Sequence, residues 1–159
     1  MTQKNLGLGY GGRTQCYKFS IDWNDIYALG ANATGNVSLF NLPNFSVILR
    51  IIVKQSVTFT GLGGTLTVSI GTSGSVTLLT SATADLVANV PGNTTYQKTD
   101  LPDQGTYVST TTPASPPPNL PATQAIVAHF VSGTGNLNAV TAGQVDLFFY
   151  LLENTTPEP

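Results

Sequence analysis

Apolar residues in this chain recur at every second position, and that spacing restricts what it can build. In "CYKFSIDW", Tyr17, Phe19, Ile21 and Trp23 alternate with Lys18, Ser20 and Asp22, the period of a strand with one greasy and one wet face. "FSVILRIIVKQSVTFTG" repeats the pattern at greater length: Val47, Leu49, Ile51, Val53, Val57 and Phe59 share one face. Ile48, Arg50, Ile52, Lys54, Ser56, Thr58 and Thr60 share the other. "TLTVSI" returns with Leu66, Val68 and Ile70 inward. "VSLFNL", "VTLLT", "TTYQK", "QAIVAHFV" and a segment ending at Leu152 supply shorter strand signals, about eight in all, joined by Gly, Asn and Ser turns. "NDIYALG" can hold one helical turn, but no longer stretch shows the period of an amphipathic helix. The prediction is an all-β chain, an antiparallel β-sandwich or barrel.

Composition agrees. Only 9% of the 159 residues are charged, against roughly 25% in an average domain, and Thr, Ser, Asn and Gly provide the polarity. The length suits one core, so residues 15–153 are expected to form one domain. A Gly-rich flexible arm (1–14) precedes it and a short tail (154–159) follows. Half of the ten prolines fall in "TTTPASPPPNLP", where missing backbone donors forbid a sheet interior; residues 110–121 are therefore expected to be an exposed loop.

The end of the domain is unusual. Leu147-Phe148-Phe149-Tyr150-Leu151-Leu152 is apolar on both faces of any strand it makes. Val145, Leu147, Phe149 and Leu151 can fill the sandwich, which leaves Phe148, Tyr150 and Leu152 pointing out. Three large apolar groups on an outer face form the sort of patch that isolated domains avoid. These three are predicted to meet another subunit or a covering loop.

Chemistry-bearing patterns are sparse. "GLGYGG" (7–12) matches a dinucleotide fingerprint, but that motif needs a strand before it and a helix after it; here a strand follows, so no cofactor is expected. His129 is the sole histidine and Cys16 the sole cysteine, which exclude a two-histidine zinc site and an intrachain disulfide. Asp22 with Asp25, and Asp100 with Asp103, are the close carboxylate pairs, and capping of turns is their ordinary use. An ion at the second pair needs further oxygens that the spacing does not supply. A net charge of −2 carried by scattered residues gives no basic stripe for nucleic acid and no polybasic patch for lipid. The first dozen residues contain no apolar core of a secretory leader, so none is expected, and the five Asn-x-Ser/Thr sequences are discounted with it. The chain reads as a non-enzyme without metal, cofactor or small-molecule substrate.

Several of these segments occur together in a known pattern. "YKFSIDWNDI", "VSLFNLP", "VILRIIVKQSVTFTG" with "LTVSIGTSG", and "GNLNAVTAGQVDLFFYLL" make the chain resemble a family of small tailed-bacteriophage virion proteins over most of residues 16–152. The arm and the proline-rich loop depart from it. These motifs are turn and strand signatures, none of them catalytic. The resemblance implies a jelly-roll-like sandwich made in the host cytoplasm and carried on the outer surface of the capsid as a decoration, or cement, protein. It implies a homotrimer that binds the major capsid protein, with Phe148, Tyr150 and Leu152 against a neighbouring subunit. Lys4, Tyr10 and Arg13 of the arm are then placed along the shell. The alternative within the same fold is a fibre or tail-tip module that reads a glycan or receptor on the host. An enzyme such as a polysaccharide hydrolase is the weakest reading, because one histidine and few acids leave little to catalyse with.

Overall fold

Strand periodicity becomes two packed sheets in the computed structural model, which describes residues 2–5, 14–42, 47–76, 79, 82, 85–88, 94–98 and 124–152. The strands are β1 (Thr2–Asn5), β2 (Thr14–Asp22), β3 (Thr34–Leu42), β4 (Val47–Thr60), β5 (Leu66–Thr72), β6 (Thr94–Lys98), β7 (Gln124–Ser132) and β8 (Ala142–Leu152). A five-stranded sheet runs β1-β2-β8-β4-β6 and a three-stranded sheet runs β3-β7-β5. Every pairing is antiparallel. From β2 onward, consecutive strands alternate between the sheets, and β8 lies between β2 and β4 at the centre of the larger one. The protein is an all-β sandwich.

The inward faces are those that alternation assigned in β2, β5 and β8. Phe19, Ile21, Leu66, Val68, Ile70, Val145, Leu147, Phe149 and Leu151 are buried in one continuous core with Ile126, Ala128 and Phe130 of β7. Aromatic rings tie the sheets together. Phe40 of β3 stacks on Phe19 at 5.3 Å between centroids and meets Phe149 edge-on at 5.2 Å, geometries that add to simple area burial.

In β4 the simple alternation fails, and the register explains why. Ile48 pairs with Leu151 and Arg50 with Tyr150, so Leu49 is an extra residue in a bulge; a second irregularity separates Gln55 from Val57. Each bulge resets which face the following residues occupy. Ile48, expected beside Arg50 on the wet face, is in the core, and Val57, expected inside, is 46% exposed. Gln55 takes the inward position instead, where its amide donates to the carbonyl of Leu86 at 2.6 Å.

One helical turn, α1 (Trp23–Tyr27), closes the end of β2. Asp22 accepts from the backbone N–H groups of Asn24 and Asp25 at 2.8 and 3.3 Å, and Asp25 accepts from that of Asp22 at 3.1 Å. This reciprocal cap stops the strand and starts the turn. Trp23 accordingly belongs to the helical turn, not to the strand. The "GNLNAV" segment forms a 3-10 turn (Leu137–Ala139) that docks beside it, with Leu137 N–H donating to Asn32 and Asn138 N–H to Gly30. Gly143, at φ +132, opens β8 where any Cβ would collide with the ring of Phe59, so only glycine fits.

Four residues of the expected arm, Thr2–Asn5, pair with β2 as the edge strand β1. The "VTLLT" stretch is represented among the described residues by Val76 and Leu79. Leu79 N–H donates to Ile70 and Leu86 N–H to Leu66, so the free edge of β5 is met at two points. Residues 6–13, the proline-rich loop and the tail lie outside the described residues.

Candidate functional site

The two outer faces of the sandwich differ in kind. On the three-stranded sheet, Thr34, Asn36 and Ser38 are exposed on β3 and His129 stands between Asn36 and Ser69 in register. His129 Nδ1 lies 2.6 Å from the Asn36 amide oxygen, a polar cross-strand pair of the kind that decorates a solvated sheet. The histidine is thus partnered within the sheet, as its place on a strand face suggests.

The outer face of the larger sheet is amphipathic. Register sets its rows: Cys16, Tyr150 and Arg50; Lys18, Phe148 and Ile52; Ser20, Asp146 and Lys54; Asp22, Gln144 and Val57. Phe148 and Tyr150 therefore point away from the core, on the face that alternation gave them, and both are half-buried. Leu152 stands in register with Thr14 and Val47 at the end of the same strand; its side chain lies outside the described residues. Each of the two rings has a cation over it. Lys18 Nζ is 5.7 Å from the Phe148 centroid and the Arg50 guanidinium carbon 5.9 Å from that of Tyr150, within the range of cation–π attraction. These contacts shelter part of the apolar surface without removing it.

Below the aromatic rows sits a buried carboxylate. Asp146, 6% exposed, accepts from Ser20 Oγ at 2.7 Å, Ser56 Oγ at 2.5 Å and Gln144 Nε2 at 3.2 Å, and pairs with Lys18 Nζ at 3.0 Å. Burial alone raises the pKa of this group, but the four donors outweigh it and hold the carboxyl below its ordinary value. Its donors come from β2, β4 and β8, so the node fastens three strands together. Sequence reasoning missed it, since a single Asp inside "VDLFF" gives no local sign of its partners.

The basic residues that are described all belong to one sheet. Of the six in the chain, Lys4, Lys18, Arg50, Lys54 and Lys98 lie in strands of the five-stranded sheet and none lies in the three-stranded one. Lys4 stands opposite Lys18 in register. Tyr10 and Arg13, expected beside Lys4 in contacting a shell, lie outside the described residues, as do "GLGYGG", Asp100 and Asp103. Lys18 is neutralised by Asp146, whereas Arg50 and Lys54 have no carboxylate partner among the described residues. Arg50 Nε is also a buried donor with no acceptor, a state that costs about 1–3 kcal/mol.

Cys16 completes the top row. Burial raises its thiol pKa against the opposing effect of a hydrogen bond with Tyr150; burial and the nearby thiol likewise raise the Tyr150 hydroxyl, with Arg50 opposing. A buried, protonated thiol is a packing group. Among the described residues no three His, Cys, Asp or Glu side chains gather as a metal site.

No family model and no curated protein matches the sequence. Among solved structures, one titled "Cyanophage Pam1 capsid asymmetric unit" is similar at 17% identity and a TM-score of 0.49, with 91% of this chain and 89% of that chain covered. A likeness so slight has no bearing on role.

Proposed function

We propose that this chain is a structural virion protein of a tailed bacteriophage, a homotrimeric decoration protein on the capsid exterior that clamps shell subunits. Its fold is read as a jelly roll. The alternation of consecutive strands between sheets, with β2 beside β8, supports that topology, and the contacts of Leu79 and Leu86 along β5 stand where a fourth strand of the smaller sheet belongs.

The observation that carries the reading is the contrast between the two outer faces: one mainly polar, with Val127 and Val131 set among Thr34, Asn36, Ser38, Thr67, Ser69 and His129, the other built of Phe148, Tyr150 and Ile52 among cations. Phe148, Tyr150 and Leu152 line the surface that meets neighbouring protein in the virion, and Lys4, Tyr10 and Arg13 follow the shell beside it. A trimer presents three such faces, and linking modest contacts raises avidity steeply. None of this requires a cofactor, a metal or a reaction.

Electron microscopy of the intact particle tests the proposal. The expected result is this sandwich in many copies outside the shell, grouped in threes; a few copies at the tail tip overturn it. That second outcome belongs to the host-binding reading, which one feature favours. Tyr27, 52% exposed, stands edge-on to the partly buried Trp23 at 6.3 Å, and an exposed ring backed by a second one suits a sugar ring.

A further inference from the structure

The amphipathic face carries more charge information than its apolar content alone. Its residues include Lys18, Arg50 and Lys54 against two acids, Asp146 and Asp22, the latter taken up by the cap of α1, in a chain whose net charge is −2. Subtracting the Lys18–Asp146 pair leaves Arg50 and Lys54. They lie four residues apart in a part of β4 whose register against β8 is regular, hence about 13 Å apart along one face. Ile52 sits between them and Phe148 beside Ile52. The Arg50 Nε–H is buried without an acceptor, so an incoming carboxylate is met by the terminal N–H groups of the guanidinium.

The described surface of a second copy is poorly equipped to answer those cations. Every described carboxylate is committed: Asp22 and Asp25 to the cap of α1, Asp85 to the N–H groups of Leu66 and Val87, and Asp146 to its own four donors. Among the described residues no spare carboxylate is left for a second copy to offer, and the acceptors are assigned to a different protein.

We infer that the outer face of β2, β8 and β4 docks an acidic surface of a different protein, whose carboxylates engage Arg50 and Lys54 on either side of an apolar contact with Phe148, Ile52 and Tyr150. This deepens the proposed function and rests on it. It assigns Phe148 and Tyr150 to the contact between decoration protein and shell, and leaves trimer contacts to other surfaces. Charge sets the orientation and the rate of approach, while the apolar centre holds the complex.

Full-length protein is titrated at low salt with poly-L-glutamate, a DNA duplex and phosphatidylserine vesicles while backbone amide shifts are followed, and the protein alone is sedimented. The polymer is expected to move amides around Arg50–Lys54 and Phe148–Tyr150, and the effect fades as salt screens it. Arg50→Glu with Lys54→Glu is expected to weaken polymer binding at least about tenfold with an unchanged urea midpoint. Arg50→Gln with Lys54→Gln serves if the reversal fails to fold. Polymer shifts elsewhere, no binding, binding of duplex or vesicles in place of the polymer, or a homo-oligomer that the charge reversal dissolves would each overturn the inference. Failure of the proposed function reads differently: microscopy then finds the chain away from the capsid exterior, whatever the titration gives.

Discussion

Replacing Asp146 by Ala removes the acceptor that joins three central strands, and its cost can be worked from the contacts. The carboxylate takes three hydrogen bonds and one ion pair. Taken singly, hydrogen bonds to a charged group are each worth about 1.5–3 kcal/mol, but bonds that share one charge do not add. Loss of one partner from a buried ion pair costs about 3–5 kcal/mol. Here Lys18 is 29% exposed and can return its ammonium to water, which brings the expected loss for Asp146→Ala to about 3 kcal/mol. Asp146→Asn keeps the size and one acceptor oxygen and is expected to lose about half as much.

Urea denaturation at pH 7 reads both values, with m unchanged if the unfolded state is unaffected. The pH dependence supplies a second check with a definite sign. Because the native carboxyl titrates below its ordinary value, the unfolded chain binds this proton more readily, so stability rises with pH through that range. The contribution is complete above about pH 5 and is lost as pH falls through the native pKa, below the usual Asp value of about 3.9. The gap between wild type and Asp146→Asn therefore narrows in acid. A loss under about 1 kcal/mol for Asp146→Ala, or a gap to Asp146→Asn that stays constant from pH 7 down to pH 2, refutes the account.

Gly143→Ala places a Cβ against Phe59 at a positive φ, and a loss of at least about 2 kcal/mol is expected in the same urea assay; a neutral result would mean that β8 begins differently. Cys16 should react with a disulfide reagent on the order of 100-fold more slowly in the native protein than in urea, since reaction waits for opening of the sheet. Equal rates in the two states would contradict the burial of its thiol.

Much of the sandwich was legible because its core strands obey a local rule. Tyr17, Phe19 and Ile21 alternate with polar residues, and period two assigns Val145, Leu147, Phe149 and Leu151 to one face; the structure packs all seven in or against the core. Local rules stopped at β4. Whether Ile48 or Leu49 turns inward depends on a bulge fixed by pairing with β8, about a hundred residues away, and no pattern inside "SVILRII" records it. The outward position of Phe148 and Tyr150 could be read from period two, but the cations over them could not, because Lys18 and Arg50 arrive from different strands. Asp146 was illegible for the same reason: Ser20 and Ser56 become its donors only after the sheet forms. The cap of α1 was the opposite case, since Asp22 and Asp25 sit at the spacing the motif requires.

The central position of β8 has a consequence for biogenesis. β2 and β4 share no edge with each other, and each leans on a segment that lies between Ala142 and Leu152. During translation the five-stranded layer has no middle until those residues clear the ribosome, so β1 with β2 and β4 with β6 must wait as separate two-stranded pieces, exposed to aggregation and to proteases. A premature stop before codon 142 should thus yield no half-formed sandwich, only chains for disposal.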